Sequence, residues 1–321
     1  MSVCKQLLAK EAAEKLLLLN SPVIIMHGRP DADTVGSAMA LIKILRKLGV
    51  SAEYTCSDPI PQRLLFLIEG EKEAAELDNR NLVAIDVASP AQLGSLIKYA
   101  DKIALTIDHH RVNSPFSDNF TDPDASSAAE ALYSVLSELT KMGKCSLDQT
   151  IAYPMYAAIS SDTGGFLFSS ASAKTYRLAA TLMETGIDFA DINRRLFHSK
   201  SEEQIRAEGF IASKISTEAD GKISYATLTK DELDSTGLSP EHFETAIDIV
   251  RSVMFSEIAI FVRENKDGTV KASMRSTGYD VARIAKIFGG GGHIRAAGCT
   301  LPVTTAAEGV NLLLSEIKNI L

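Results

Sequence analysis

Basic residues are in short supply: 33 lysines and arginines face 41 aspartates and glutamates, a formal net charge of −8 over 321 residues. That deficit argues against wrapping long duplex DNA, which requires many phosphates to be neutralised. It leaves a small anionic substrate open, because a bound divalent cation and a few local arginines dominate the field inside a cleft. Cysteine is scarce too. Cys4, Cys56, Cys145 and Cys299 have no paired spacing, which excludes a zinc ribbon or a disulfide framework and leaves reduced, structural thiols. Long apolar runs are missing. "KLLLLN" and "YPMYAAIS" fall far short of the roughly 20 residues of a bilayer-spanning helix, so no membrane partner is expected. The opening "MSVCKQLLAKEAAEKLLLLN" reads as an amphipathic helix rather than a signal peptide, because charges interrupt its apolar positions. Internal repeats and low-complexity segments are also lacking. A cytoplasmic globular protein is the expectation.

What is there is an alternation. A hydrophobic content of 45% suffices for two domains, each with its own core. Short apolar strands are expected at Val23–Met26, Ala52–Thr55, Leu82–Ile85 and Ile103–Ile107, separated by helical stretches. Helices follow at Ser127–Leu139, Leu147–Ser160 and Ala173–Met183, and a charged segment with helical spacing over 188–214 reads as a linker helix region. Further strands are expected at Lys222–Leu228, Glu257–Arg263 and Val270–Arg275, with helices at Glu241–Val253, Val281–Phe288 and Ala306–Ile320. The fold class is α/β: an amino-terminal, mostly parallel sheet flanked by helices over 1–187, then a smaller carboxyl-terminal α/β domain over 215–321.

Ionisable residues recur where these elements end. The run "SPVIIMHGRPDADTVGSAMALIKIL" breaks from strand to helix through His27, Asp31 and Asp33; Asp86 follows "NLVAI", Asp108-His109-His110 follow "KIALTI", and Asp162 lies in "AAISSDTGGF". Each alone has an ordinary reading as a helix cap, a strand end or a turn. Together they fall on one edge, because parallel strands share the side on which their carboxyl ends emerge. Four aspartates and a histidine crowded there without a cation would repel one another and resist burial. Mixed carboxylate and imidazole donors without thiolate favour manganese, iron, cobalt or zinc over calcium, and two ions fit the donor count better than one.

The segments "HGRPDADTVGS", "AIDVASP", "IDHHRVN" and "ISSDTGGF" resemble the four successive motifs of the DHH phosphoesterase superfamily, and "MRSTGYDVARIAKIFGGGGHIRAAG" resembles its DHHA1 nucleotide-binding domain. The resemblance covers nearly the whole chain. In length and domain order it is most similar to the bacterial oligoribonuclease (nanoRNase) and 3′-phosphoadenosine-5′-phosphate (pAp) phosphatase subgroup, the NrnA-like enzymes. It implies two divalent ions, Mn2+ by family habit: His27, Asp31 and Asp86 on one, Asp33, Asp86, His109 and Asp162 on the other, with Asp86 as the bridge. It also implies that His110 meets the scissile phosphate while Asp108 orients the histidines, and that an ion-activated water attacks. Arg275, Ser276, Gly289, Gly290, Gly291, Gly292 and His293 would hold substrate, the glycines by removing side chains from one loop so that its amides approach closely. Arg29 and Ala128 depart from the residues more usual at their positions, and neither is a ligand position.

The activity so implied is manganese-dependent hydrolysis of short RNA, including linear dinucleotides, to mononucleotides, or of pAp to AMP, in a cleft between the domains. The resemblance also admits a homodimer. Three other functions fit parts of the pattern. A manganese pyrophosphatase shares the amino-terminal motifs but not "GGGGH"; a long-chain exonuclease needs an added oligonucleotide-binding domain; a silent nucleotide-binding regulator has no need of a complete two-metal set.

Overall fold

The computed structural model describes residues 4–111 and 113–318, with His293 described by its backbone alone. The chain divides into two compact units, Met1–Ser199 and Lys200–Leu321. In the first, strands β1 (Val23–Ile25), β2 (Glu53–Thr55), β3 (Leu82–Ile85), β4 (Ile103–Asp108) and β5 (Asn119–Thr121) form one sheet in the order β2-β1-β3-β4-β5, and every pairing is parallel. Val23 to Ile25 and Leu82 to Ile85 are buried without alternation, as strands covered on both faces require. The first four strands sit where the apolar runs place them. The fifth, "NFT", was not expected, because three residues in a polar neighbourhood carry no periodicity.

Helices α1 (Ala9–Leu16), α2 (Ala32–Lys47), α3 (Ala128–Lys141), α4 (Gln149–Asp162), α5 (Ala173–Met183) and α6 (Phe189–Asn193) surround this sheet's elements. Local chemistry starts them where they start. Ser127 caps α3 by accepting the Glu130 N–H at 3.1 Å, and Asp148 caps α4 from one carboxylate oxygen. Helices α2 and α4 approach closely at Gly36, where a Cβ would lie 2.5 Å from the Pro154 carbonyl oxygen and 2.9 Å from Ala158 Cβ. Only a residue without a side chain allows that approach.

The second unit holds α7 (Glu202–Ala212), β6 (Ser216–Glu218), β7 (Ile223–Leu228), α8 (Lys230–Thr236), α9 (Ala246–Val250), β8 (Ile258–Glu264), β9 (Val270–Ser276), α10 (Val281–Ile287), β10 (Gly291–His293), β11 (Ala296–Leu301) and α11 (Ala306–Ile317). Its six strands run β10-β11-β9-β8-β7-β6, antiparallel except for β7 and β8. The segment 188–214 contains two helices separated at Ser199–Ser201, α6 with its short continuation Arg194–His198 in the first unit and α7 in the second. The expected helix Glu241–Val253 is corrected to a 3-10 turn, Pro240–Phe243, and the short α9. Thr245 (φ −90°, ψ 2°) interrupts them, although Phe243, Ala246, Ile247 and Val250 keep a helical burial period. The expected end of the last helix at Ile320 lies outside the described residues.

The glycine run also differs from the expected loop. Gly291 to His293 form β10, paired antiparallel with β11, so only the start of the run turns. Gly289 takes φ 71°, and a Cβ on Gly290 would meet the Gly298 carbonyl oxygen at 2.3 Å. Close backbone approach within a hairpin is therefore one reason for these glycines, whatever else they bind.

Candidate active site

The carboxyl edge of the parallel sheet gathers all the ionisable residues singled out in the first unit. His27 follows β1, Asp31 and Asp33 open α2, Asp86 follows β3, Asp108 ends β4 with His109 and His110 beyond it, and Asp162 ends α4. Helix α4 reaches this edge because it packs against α2 through Gly36, which brings its last residue to the first turn of α2. Three groups of side chains present donor atoms within 4.8 Å of one another: His27, Asp31 and Asp86; Asp86, His109 and His110; Asp33, His109 and Asp162.

Asp86 stands in two of these groups. Its Oδ2 lies 3.4 Å from His27 Nε2, and its Oδ1 lies 3.6 Å from both His109 Nε2 and His110 Nδ1. It is almost fully buried, and Oδ1 has no hydrogen-bond partner among the described residues. Its backbone takes φ 60°, a left-handed conformation uncommon for a residue with a side chain, with its N–H donating to Ile107 O at 2.9 Å. A buried carboxylate oxygen between imidazoles, lacking a proton donor, suits a cation.

Neighbouring groups fix how each donor points. His27 Nδ1 pairs with the Gly28 carbonyl at 2.8 Å and His109 Nδ1 with the Ala125 carbonyl at 3.4 Å, so in both rings Nε2 is the nitrogen turned to the carboxylates. Asp31 Oδ1 accepts the N–H groups of Asp33 and Thr34 at 3.0 and 3.1 Å, so the helix cap and the candidate ligand are the same residue. Asp33 Oδ2 accepts the Ala128 N–H at 2.8 Å, while its Oδ1 accepts the Ser37 hydroxyl at 2.9 Å. Ala128 acts there through its backbone, at the first turn of α3, where the helix dipole favours an anion.

The electrostatics are those of a site with more negative charge than it can hold alone. Burial first, then the Asp86, Asp162 and Asp31 carboxylates, push Asp33 well above the usual carboxylate range despite the Ala128 N–H. Burial likewise raises Asp162 to about 7, with His109 opposing and Asp86 adding to the rise. Burial alone would lower His27, but Asp31 and Asp86 outweigh it and hold the ring up at about 11. Protons here stand where cations would relieve the same repulsion. Asp108 is lowered instead: burial opposes its charge, and His110 overcomes that through a 2.7 Å bond from Nδ1 to Oδ1. The same pair raises His110 to about 9 against burial.

In the second unit Arg275 and Ser276 end β9, with Arg275 in register with Ala296 of β11 and the Ser276 N–H donating to Arg295 O at 3.0 Å. Arg275 is half-buried, and this desolvation lowers its pKa; one of its guanidinium nitrogens donates to Met274 O at 3.1 Å. The Ser276 hydroxyl donates to Tyr279 O. Gly289 to Gly292 lie in the neighbouring hairpin, and the His293 side chain lies outside the described residues. Sequence reading missed Ser37 and the carbonyls of Gly28 and Ala125. The carbonyls carry no side-chain signal, and Ser37 was findable only as the residue one helical turn after Asp33.

Residues 22–159 match the DHH family, N-terminal domain, and residues 220–321 match the DHHA1 domain. The chain is 30% identical over 313 residues to the bifunctional oligoribonuclease and PAP phosphatase NrnA of Thermus thermophilus, an alignment covering 95% of this chain and 92% of that one. It is 25% identical over 293 residues to the protein of the same name from Bacillus subtilis, covering 91% and 92%. Its fold is similar to that of an exopolyphosphatase-related protein from Bacteroides fragilis, with a TM-score of 0.88 at 23% identity over 97% of each chain. Among the described residues no helix is long and apolar enough to cross a membrane. Both domains occur in order, and the likeness to these relatives covers more than nine-tenths of the chain, which belongs to the DHH/DHHA1 phosphoesterase superfamily.

Proposed function

We propose that the protein is a two-metal phosphoesterase that hydrolyses short oligoribonucleotides, including linear dinucleotides, to mononucleotides and pAp to AMP. The observation that carries this reading is Asp86, a buried carboxylate whose two oxygens face different histidines and whose Oδ1 has no proton donor among the described residues. His27, Asp31 and Asp86 would hold one divalent ion and Asp33, Asp86, His109 and Asp162 the second; the carboxylate and imidazole donor set admits manganese, iron, cobalt or zinc, and the family resemblance favours Mn2+ among them. When bound, such ions neutralise the phosphate oxygens and make a neighbouring water acidic enough to attack near neutral pH.

The chain's own groups do the rest. Asp108 holds His110 by Nδ1, which fixes the ring and favours its protonated form. His110 then acts from Nε2 as a donor to the scissile phosphate or to its departing oxygen. Gly28 and Ala125 hold the rings of His27 and His109 in one tautomer, so neither needs to reorient when a cation enters. Arg275, Ser276, the segment Gly289 to Gly292 and His293 are assigned to nucleotide binding; the planar guanidinium of Arg275 suits phosphate or base edges.

The relatives named for oligoribonucleotide and PAP hydrolysis support the substrate class over pyrophosphate. A manganese-supplemented panel of a five-nucleotide RNA, pApA, pGpG, pAp and pyrophosphate tests it. Turnover of the nucleotides with little of pyrophosphate is expected. Fast pyrophosphate hydrolysis, or no hydrolysis of any of the five, would overturn the reading in favour of a pyrophosphatase or a silent nucleotide binder.

A further inference from the structure

The turn that follows Asp162 carries backbone strain. Gly164, Gly165 and Phe166 take three successive left-handed conformations, with φ of 59°, 68° and 66°, and a phenylalanine rarely does so. The turn is nevertheless firmly held. The Gly165 N–H donates to Ser160 O at 2.7 Å, the Phe166 N–H to Thr163 Oγ1 at 3.1 Å, and the Phe168 N–H to Thr163 O at 2.9 Å. Behind it, the Phe166 ring packs on Tyr156 and Tyr176 at centroid distances of 5.9 and 5.4 Å, and the Tyr176 hydroxyl donates to Phe166 O at 3.0 Å.

This arrangement turns Leu167 outward and leaves part of the Phe168 ring uncovered, five and six residues beyond Asp162. Leu167 is 86% exposed and Phe168 42% exposed. The Phe168 ring folds back across Gly164, where a Cβ would lie 2.4 Å from it, so the ring rests against the residue two positions beyond Asp162. One exposed apolar residue needs no explanation. An exposed leucine beside a half-exposed phenylalanine ring, on a strained, hydrogen-bonded turn five and six residues beyond a carboxylate of the cluster, does, since Leu167 adds almost nothing to core packing.

We propose that Leu167 and Phe168 form a platform on which a nucleobase of the substrate stacks, so that they set the preference for base-bearing phosphoesters; this rests on the phosphoesterase reading above. The carboxylates and imidazoles of the site offer a base no apolar surface. A flat apolar face supplies it, and stacking tolerates every base, as short RNA of mixed sequence demands.

The test compares pApA with the same dinucleotide lacking both bases, using full-length wild type, Phe168→Ala and Leu167→Ala. Phe168→Ala is expected to raise the KM for pApA about tenfold relative to its effect on the abasic analogue, with Leu167→Ala smaller in the same sense. Because the chain contains no tryptophan, Phe168→Trp provides a second measurement free of turnover. Its emission should be quenched by a phosphorothioate-linked ApA and left unchanged by the abasic analogue. Equal losses on both substrates would mean that the turn acts only by placing Asp162, and would overturn the platform. So would an unchanged KM for pApA together with unquenched emission. Failure of the wild type to hydrolyse any nucleotide would instead remove the phosphoesterase reading, and the platform with it.

Discussion

The two units of this chain equip a sheet edge in opposite ways. In the first, four separate segments end at one edge of an all-parallel sheet and bring buried and half-buried charged side chains together. In the second, a mostly antiparallel sheet sets Arg275 beside a glycine-rich hairpin, and the groups suited to a cation among the described residues all lie in the first unit. The difference follows from topology. Parallel strands all finish on one side, so residues remote in sequence converge; antiparallel neighbours finish on opposite sides, so a functional edge is built from a contiguous stretch. On the readings above, the first unit holds cations and stacks one base, while the second grips the nucleotide through Arg275 and the hairpin.

The largest effect should come from breaking the centre of the first edge. Asp86→Asn keeps the shape and tolerates the left-handed backbone, yet removes the charge. Turnover should fall on the order of 1,000-fold with loss of bound manganese, as expected when the shared ligand of a two-metal site is neutralised. The metal-free variant should melt close to metal-free wild type, because the lost repulsion on Asp33 offsets the lost attraction to His27. A fall in turnover below about tenfold would sink the role of Asp86 as the bridge.

Next in size is a contrast between the edges. His110→Ala should lower kcat by about 100-fold, the range of a lost proton donor, with little change in KM. Arg275→Ala should chiefly raise KM, since a group that binds ground state and transition state alike leaves kcat alone. Steady-state kinetics on pApA separate the two signatures. If both variants changed KM alone, His110 would be a binding residue and the contrast between the edges would fail.

This division also governs how much was legible in the sequence. His27, Asp31, Asp33, Asp86, Asp108, His109, His110 and Asp162 stood out because buried parallel strands read as unbroken apolar runs and a charge at the end of such a run is conspicuous. The structure brings them to one edge. The second unit was harder. Strand β11, "AAGCTL", has little β-branched content, and β10 is glycine and histidine, so neither announces itself as a strand. Backbone partners were invisible altogether: the Ala128 N–H on Asp33 and the Gly28 carbonyl on His27 depend on where the chain passes, not on which side chain it carries.

A smaller effect, about tenfold per pH unit, separates the edges by proton linkage. A cation at the first edge must displace the protons that His27, with its pKa of about 11, and Asp162, at about 7, hold without it. Manganese affinity should therefore weaken by about one power of ten per unit as pH falls from 9 to 7, and more steeply below 7. The stability of the metal-free protein has the opposite slope. The raised His27 pKa contributes stability that is complete below its ordinary 6.5 and is lost as pH rises towards 11. Asp162 binds its proton more tightly folded than unfolded, so stability falls as pH rises from about 4 to 7. Calorimetric titration and thermal melts, each with and without manganese, check both slopes. Manganese affinity independent of pH between 6 and 9 would exclude His27 and Asp162 as ligands.

The smallest expected effect sharpens the comparison most, because it changes no functional side chain. Gly36→Ala drives a Cβ to within 2.5 Å of the Pro154 carbonyl oxygen, so α2 and α4 must separate slightly. Overpacking of this kind costs about 1–3 kcal/mol. It should also weaken manganese binding several-fold, since α2 carries Asp33 and α4 carries Asp162. Gly290→Ala creates a similar clash with the Gly298 carbonyl oxygen in the second unit. There the hairpin beside Arg275 should shift, raising KM for nucleotides while manganese affinity stays at the wild-type value. Measuring metal affinity and KM for both variants yields a two-by-two pattern that a general loss of stability cannot mimic. If Gly290→Ala also weakened manganese binding, the separation of cation and nucleotide between the two edges would be wrong.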